Sequence, residues 1–190
     1  MFRWFWVLFL KIIGWNTKVT FPRHLSKCVI IVAPHTSSID FIIGIAYRSV
    51  MHMQGTKFLG KAELFKPPFG YIFKWLGGIP VYRSSTNNLV DQVVGYFNAN
   101  TSFKLALSPE GTRKKVSQLK TGFYYIAKQA NVPIVLIALD YKNKTTLCSE
   151  PFYPTHSIEN DFNYFIHFFS TIHGKNLHLG LMHLHKTNTA

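Results

Sequence analysis

Cysteine is scarce in this 190-residue chain: Cys28 and Cys148 allow at most one internal bridge, and no CxxC or Cys/His finger spacing accompanies them. A disulfide scaffold and a structural zinc finger are both excluded. Acidic residues are scarce too. Eight Asp and Glu face 21 Lys and Arg, a formal net charge of +13, so the expected partner is anionic: a nucleic acid, an acidic membrane or a phosphorylated substrate. No apolar run reaches about 18 residues, so any membrane association is expected to be peripheral or shallow. Internal repeats, low-complexity tracts and linkers are also missing. With 47% hydrophobic and 15% charged residues, the chain reads as one globular domain with its own core.

Aromatic residues are plentiful at 16%, and three of the four Trp fall within the first fifteen positions. Phe2 to Trp15 reads FRWFWVLFLKIIGW, apolar except for Arg3, Lys11 and Gly14. As a helix it would be about 21 Å long against a hydrocarbon core of about 30 Å, so it is expected to lie on a bilayer rather than cross it. Indole rings sit at headgroup level, where Arg3 and Lys11 can meet lipid phosphate. A core helix packed on the domain is the plainer alternative. No small-residue cleavage pattern follows the segment, so it is expected to be retained. Residues 1–15 are therefore read as an interfacial helix and 16–190 as the domain that follows it.

Beyond it, Cys28 to Ala33 (CVIIVA) has the continuous apolar pattern of a parallel strand buried on both faces. Pro34 ends it, and polar residues lead into a helix through FIIGIAY with Ser37 or Ser38 near its N-cap. Thr56–Leu59 is expected as a strand. After Lys61–Phe65 and the Pro67-Pro68 breaker comes the aromatic segment Phe69–Leu76, stopped by Gly77-Gly78. Ile79–Tyr82 reads as an edge strand because Pro80 cannot donate to a ladder. Asn87–Phe97 has helical spacing and Phe103–Leu107 is a strand. Thr121–Ala130 is a helix, Val132–Leu139 a second buried strand, Glu159–Ile172 a helix and Leu177–Leu184 a strand. This alternation predicts an α/β domain with a mixed, mostly parallel sheet flanked by helices, and a site in the loops at the carboxyl ends of the strands.

Two polar loops follow buried strands there: Pro34–Asp40 (PHTSSID) and Ser108–Arg113 (SPEGTR). An imidazole beside a carboxylate is a general-base pair, the acid fixing the tautomer while the other nitrogen removes a proton. Five residues apart on a regular helix, His35 and Asp40 would diverge by about 140°, so they meet only if His35 lies in the turn before the helix. Alone, this spacing fits a capping loop with a hydrogen-bonded histidine as well. In the second loop, Gly111 permits a tight turn, Thr112 adds a hydroxyl and Arg113 offers a planar fork suited to phosphate. Glu110 is expected to orient Arg113.

With these residues in view, the sequence resembles the glycerophospholipid acyltransferases typified by the 1-acyl-sn-glycerol-3-phosphate (lysophosphatidic acid) acyltransferases. Their His-four residues-Asp motif is matched by His35 to Asp40, and Pro-Glu-Gly-Thr-Arg by Pro109 to Arg113. A looser motif resembles Gly78 to Arg83 (GIPVYR), and Val-Pro-Ile-Val matches Val132 to Val135. The four occur in the family's order.

The resemblance implies a glycerol-3-phosphate acyltransferase-like fold. It also implies transfer of a fatty acyl group from acyl-CoA or acyl-carrier protein to the free hydroxyl of a lysophospholipid, with no cofactor. His35 would be the base and Asp40 its orienter. Arg83 and Arg113 would hold the acceptor phosphate, Glu110, Gly111 and Thr112 would shape that pocket, and Lys61 is a further phosphate or oxyanion contact. The enzyme would sit peripherally on the cytoplasmic face of the inner or plasma membrane. A thioester is already activated, so no covalent intermediate is required, and neither cysteine is placed as a nucleophile. The aromatic stretch Phe69–Trp75 is read as core packing, with an acyl-channel wall as the alternative. Ser108 departs from the family, whose members often have an aromatic residue there, and the acceptor stays open between phosphate-bearing and amino-acid lyso-lipids.

Other classes explain less. A nucleic-acid binder would use the charge and the rings but leaves the four motifs without a role. A silent membrane-binding module gives no reason for the His35 and Asp40 pair. His173, His178, His183 and His185 suggest a metal site, but NLHLGLMHLH is read instead as a half-exposed strand.

Overall fold

The apolar run around Ile30 forms β1 (Lys27–Ala33) in the computed structural model, which describes residues 3–16, 20–81 and 86–184. Val29, Ile31 and Ala33 enter one hydrophobic cluster and Cys28 and Ile30 the opposite one, all fully buried. From Cys28 to Ile31 neither face of β1 meets water, which is why its pattern is continuous rather than alternating. Truncating such a side chain to Ala costs roughly 2–5 kcal/mol through lost transfer energy and the cavity left behind.

Around β1 lies one six-stranded sheet in the order β3-β2-β4-β1-β5-β6. The other strands are β2 (Lys57–Lys61), β3 (Gly78–Val81), β4 (Phe103–Leu107), β5 (Ile134–Asp140) and β6 (Thr145–Cys148). All neighbours are parallel except β5 and β6. Helices cover both faces. On the Ile30 side, α1 (Arg3–Ile12) and α2 (Ile39–Val50) supply Leu10, Ile43, Ala46, Tyr47 and Val50. A third, short helix, α3 (Gly70–Trp75), precedes edge strand β3. On the other side α4 (Thr86–Ala99), α5 (Gly122–Gln129) and α6 (Ile158–Ser170) contribute Val93, Phe97, Phe123, Ala127, Phe165 and Phe169. No helix among the described residues is long and apolar enough to cross a membrane.

The mixed α/β architecture, the central β1 and the Pro80 edge strand match the expectations. Several elements differ. Helix α1 stops at Ile12, and Gly14 at φ +77° turns the chain so that Trp15 packs inward, 6% exposed, against Tyr47 and Tyr141. The strand expected over Leu177–Leu184 does not form. A 3-10 turn, Leu177–Leu179, begins that stretch, and burial falls on Leu181 and Leu184, a spacing of turns rather than of a pleat. Within it His183 has both ring nitrogens against carbonyls, Gly180 O at 3.0 Å and Val116 O at 2.7 Å, which leaves neither for a metal. His185 lies outside the described residues. Strand β6 was not anticipated: Asp140 accepts the backbone N–H groups of Lys142 and Asn143, and that tight turn folds a four-residue segment back on β5.

The aromatic segment is the largest departure. Phe69, Tyr71, Ile72 and Trp75 are exposed, Trp75 at 70% of its surface, so core packing fails as their explanation. Only Phe65 and Phe73 turn inward, their rings 6.1 Å apart.

Candidate active site

The strand order sets β4, β1 and β5 side by side, so the loops leaving their carboxyl ends share one edge of the sheet. The loop after β1 carries His35, the loop after β4 carries Glu110 to Arg113, and Tyr141 directly follows β5.

His35 stands in the turn before α2, the position its spacing to Asp40 requires. Its Nδ1 is 3.3 Å from Asp40 Oδ2, and the imidazole is partly exposed while the carboxylate is buried. Asp40 is held by more than the histidine. Oδ2 also accepts the backbone N–H groups of Thr36 and Ser37, each at 2.7 Å, and Oδ1 accepts the Tyr141 hydroxyl at 2.5 Å. Burial would raise this carboxyl's pKa, but the bonds from His35, Tyr141 and Ser37 outweigh it and hold the pKa below the ordinary value. The same burial, with the bond to Asp40, pushes the Tyr141 phenol well above its usual range. Asp40 is thus an anion and Tyr141 a neutral donor to it.

Tyr141 was not identified from the sequence. The available signal was its place at the carboxyl end of a buried strand beside β1, the same rule that picked out the other two loops.

Glu110 is fully buried, and its Oε1 accepts the backbone N–H of His35 at 2.6 Å. It orients the histidine's loop, not Arg113 as expected. The reason is distance in the fold rather than in sequence: β4 pairs with β1, so the residue after β4 faces the one after β1. Burial pushes its pKa up to about 7, the His35 N–H and ring lowering it only in part, and its second oxygen has no partner.

Arg113 is exposed and donates through Nη1 to Ser38 Oγ, which joins the two loops. Ser38 is the N-cap of α2, yet its hydroxyl makes no capping bond. Gly111 takes φ +67°, the left-handed conformation the tight turn needs, and the Thr112 hydroxyl accepts the Lys114 N–H at 3.3 Å. Lys114 and Lys115 are exposed beside Arg113 and extend the cationic surface. Lys61 ends β2, and because Phe58 lies opposite Ala106 it reaches the same edge of the sheet, exposed. Arg83 lies outside the described residues. Cys28 and Cys148 are removed from the chemistry by burial, which pushes their thiols up to about 12 and about 11.

Behind the histidine loop runs the segment after α6. Asn176 donates its backbone N–H to Thr36 Oγ1 at 3.1 Å and its side-chain amide to Thr36 O at 2.7 Å. Gly174 faces Thr36 and Pro34 so closely that a Cβ there would stand 2.9 Å from the threonine methyl. The His173 carbonyl accepts the Tyr141 N–H at 2.9 Å. This tract matches no motif named above, and it braces two of the three loops.

A histidine–carboxylate pair thus stands at the strand ends, and its loop is joined at Ser38 to an exposed arginine turn. The family model described as Acyltransferase matches residues 16–140. The chain belongs to this acyltransferase family, as its resemblance to the glycerophospholipid acyltransferases implied. It is 33% identical over 140 residues to human 1-acyl-sn-glycerol-3-phosphate acyltransferase beta, a match covering 70% of this chain. The chain spans about half the length of that relative, 49% of it. No solved structure matches.

Proposed function

We propose that the chain is an O-acyltransferase that moves a fatty acyl group from a thioester, acyl-CoA or acyl-carrier protein, to the free hydroxyl of a lysophospholipid. The acceptor we assign is 1-acyl-sn-glycerol-3-phosphate, and the product phosphatidic acid. The observation that carries this reading is the His35 to Asp40 contact with Arg113 one hydrogen bond away through Ser38.

Asp40 fixes the imidazole through Nδ1, leaving Nε2 to take the acceptor's hydroxyl proton as its oxygen attacks the thioester carbonyl. The tetrahedral intermediate collapses, the carbon–sulfur bond breaks, and the thiolate leaves to recover a proton. The products are an ester and a free thiol, and the protein forms no covalent bond. Base catalysis of this kind supplies about a hundredfold to ten-thousandfold in rate. Arg113, with Arg83 and Lys61, counters the acceptor phosphate, while Gly111 and Thr112 shape the turn that presents Arg113. Glu110 contributes by holding the His35 backbone. The reaction needs no cofactor, and nucleic acid is not a partner.

Both substrates are amphiphiles, and the exposed Trp4, Phe5, Leu8 and Ile12 of α1 with Arg3 and Lys11 suit docking at the cytoplasmic face of a membrane. The N-terminal helix then serves as an interfacial element on the catalytic domain, with its Leu10 side packed on α2.

The test is release of free thiol from long-chain acyl-CoA with a panel of lyso-lipids, products identified by mass. Phosphatidic acid should form, and His35→Ala should lose at least about a hundredfold in rate with its circular dichroism unchanged. Acylation confined to an acceptor without a phosphate would overturn the acceptor assignment, and no thiol release would overturn the activity.

A further inference from the structure

The segment between β2 and β3 exposes apolar surface that the proposed chemistry does not use. Tyr71, Ile72 and Trp75 fall on one face of α3, at spacings of one and three residues, with 71%, 53% and 70% of their surfaces open. Phe69 at its start and Leu64 in the preceding 3-10 turn are exposed as well.

The exposure is built in. Phe65 is buried under the segment and fixes it from two sides: a Cβ on Gly70 would stand 2.0 Å from the Phe65 carbonyl oxygen, and one on Gly78 would stand 2.7 Å from its ring. Phe73 points inward to Phe65 and to Phe41 of α2, ring centroids 6.1 and 6.2 Å away. Two phenylalanines and two glycines therefore hold α3 against the domain with its opposite face outward.

Charge decides what covers that face. Lys57, Lys61, Lys66 and Lys74, in and beside the segment, are all exposed, and Glu63, exposed as well, is the sole acid from 57 to 81. Through the first 81 residues ten Lys and Arg stand against Glu63 and the buried Asp40. Exposed aromatic and aliphatic side chains in a lysine-rich segment match a bilayer whose headgroups are anionic, with rings at the boundary and ammonium groups on phosphate. The face also continues an apolar margin. Helix α2, which Phe41 ties to α3, packs on its other side against α1, and its own first turns expose Ile39 and Ile42.

We infer that α3 is a second membrane-inserting element, which seats Tyr71, Ile72 and Trp75 in the interfacial zone of an anionic bilayer. It rests on the membrane docking proposed above and adds a second point of attachment. Two points fix an orientation where one leaves rotation free, and α2 lies between them with the His35 loop at its start.

The experiment measures partition of the full chain onto sucrose-loaded vesicles of phosphatidylcholine with and without phosphatidylglycerol, in the absence of substrate. Thiol release is measured separately in detergent. Wild-type protein should bind the vesicles containing phosphatidylglycerol, and high salt should weaken that binding. Ile72→Glu with Trp75→Glu should lower the partition coefficient at least about tenfold, since each buried large apolar side chain contributes on that scale or more. Its thiol release in detergent should stay within about twofold, as expected of surface changes away from the site.

Trp4→Glu with Leu8→Glu tests α1 alone. If that variant loses binding and the α3 variant does not, the inference about α3 is overturned and the docking reading stands. If wild-type protein binds no vesicle, both fall. An α3 variant that binds normally but transfers long acyl chains poorly in detergent would make the face a substrate wall, and one that only loses self-association would make it a contact between copies; either overturns the inference. A second readout is quenching by lipids brominated along the acyl chain, which Trp75→Phe should reduce. Equal quenching with and without Trp75 would contradict insertion.

Discussion

The two loops that face each other across the ends of β1 and β4 are built in opposite ways. In the first, the groups around the histidine are held in place: Asp40 accepts from four partners, Thr36 is clamped by Asn176, and the His35 N–H is taken by Glu110. In the second, Glu110 is buried and serves the first loop, but Gly111 to Lys115 are exposed, and from that stretch Arg113 bonds across to Ser38. Under the function proposed above, the difference would separate two tasks. Proton transfer tolerates little error in angle or distance and calls for a preorganised loop. A phosphate on a lipid headgroup would have to arrive and leave, which suits an open loop that presents cations with little else in the way.

The sharpest way to break this contrast is to disturb the rigid loop at its acid. Asp40→Asn should reduce kcat by about a hundredfold to ten-thousandfold, because an amide can leave the imidazole in the wrong tautomer. Steady-state thiol release reads it directly, and a loss below about tenfold would mean that the histidine needs no orienter. Arg113→Ala should act on the other loop and differently, raising the acceptor KM by about tenfold or more while kcat changes less, since a charged hydrogen bond lost in the ground and transition states alike removes uniform binding. If kcat falls and KM does not, the arginine belongs with the chemistry.

Tyr141→Phe should have a smaller effect, about a threefold to twentyfold fall in kcat, since only part of the worth of one hydrogen bond to a carboxylate is felt at the histidine that Asp40 orients. The acidic limb of its rate profile should also shift up, because Asp40 loses one of the bonds that lower its pKa.

The smallest effect is on stability. Glu110 is protonated more readily in the folded protein, with its pKa near 7 against 4.5 when unfolded. Between those values the folded state binds more protons than the unfolded one, so stability contributed by this group is present below about pH 4.5 and is lost as pH rises through about 7. Glu110→Gln keeps an acceptor for the His35 N–H and removes the titration. Its melting temperature should therefore gain on wild type from pH 4.5 to 7, and a constant difference across that range would contradict the burial argument.

The sequence made the core of this arrangement legible because the signals are local. A run such as CVIIVA can be buried only in the middle of a sheet, and His35 and Asp40 are near enough in sequence for helix geometry to constrain them. What was not legible depends on contacts between distant segments. Glu110 meets His35 because β4 lies beside β1, Tyr141 meets Asp40 because β5 lies on the other side, and neither neighbour can be deduced from spacing. Asn176 is 140 residues from Thr36. The exposure of Tyr71, Ile72 and Trp75 was hidden for a different reason: aromatic composition is the same in a core and at an interface, and only packing distinguishes them. In Leu177–Leu184, alternating Leu and His imitated a pleat over too few residues to reveal the three-residue spacing of its buried leucines.

The clamp from Asn176 to Thr36 has a temporal side. A nascent chain that has just emerged through Cys148 already has all four motifs and all six strands, with Asp40 and Glu110 on the backbone around its histidine, yet the Thr36 carbonyl and hydroxyl still lack Asn176. The last brace on that loop would close only when residues beyond α6 leave the ribosome, so a half-made chain would be folded in outline before this corner is finished.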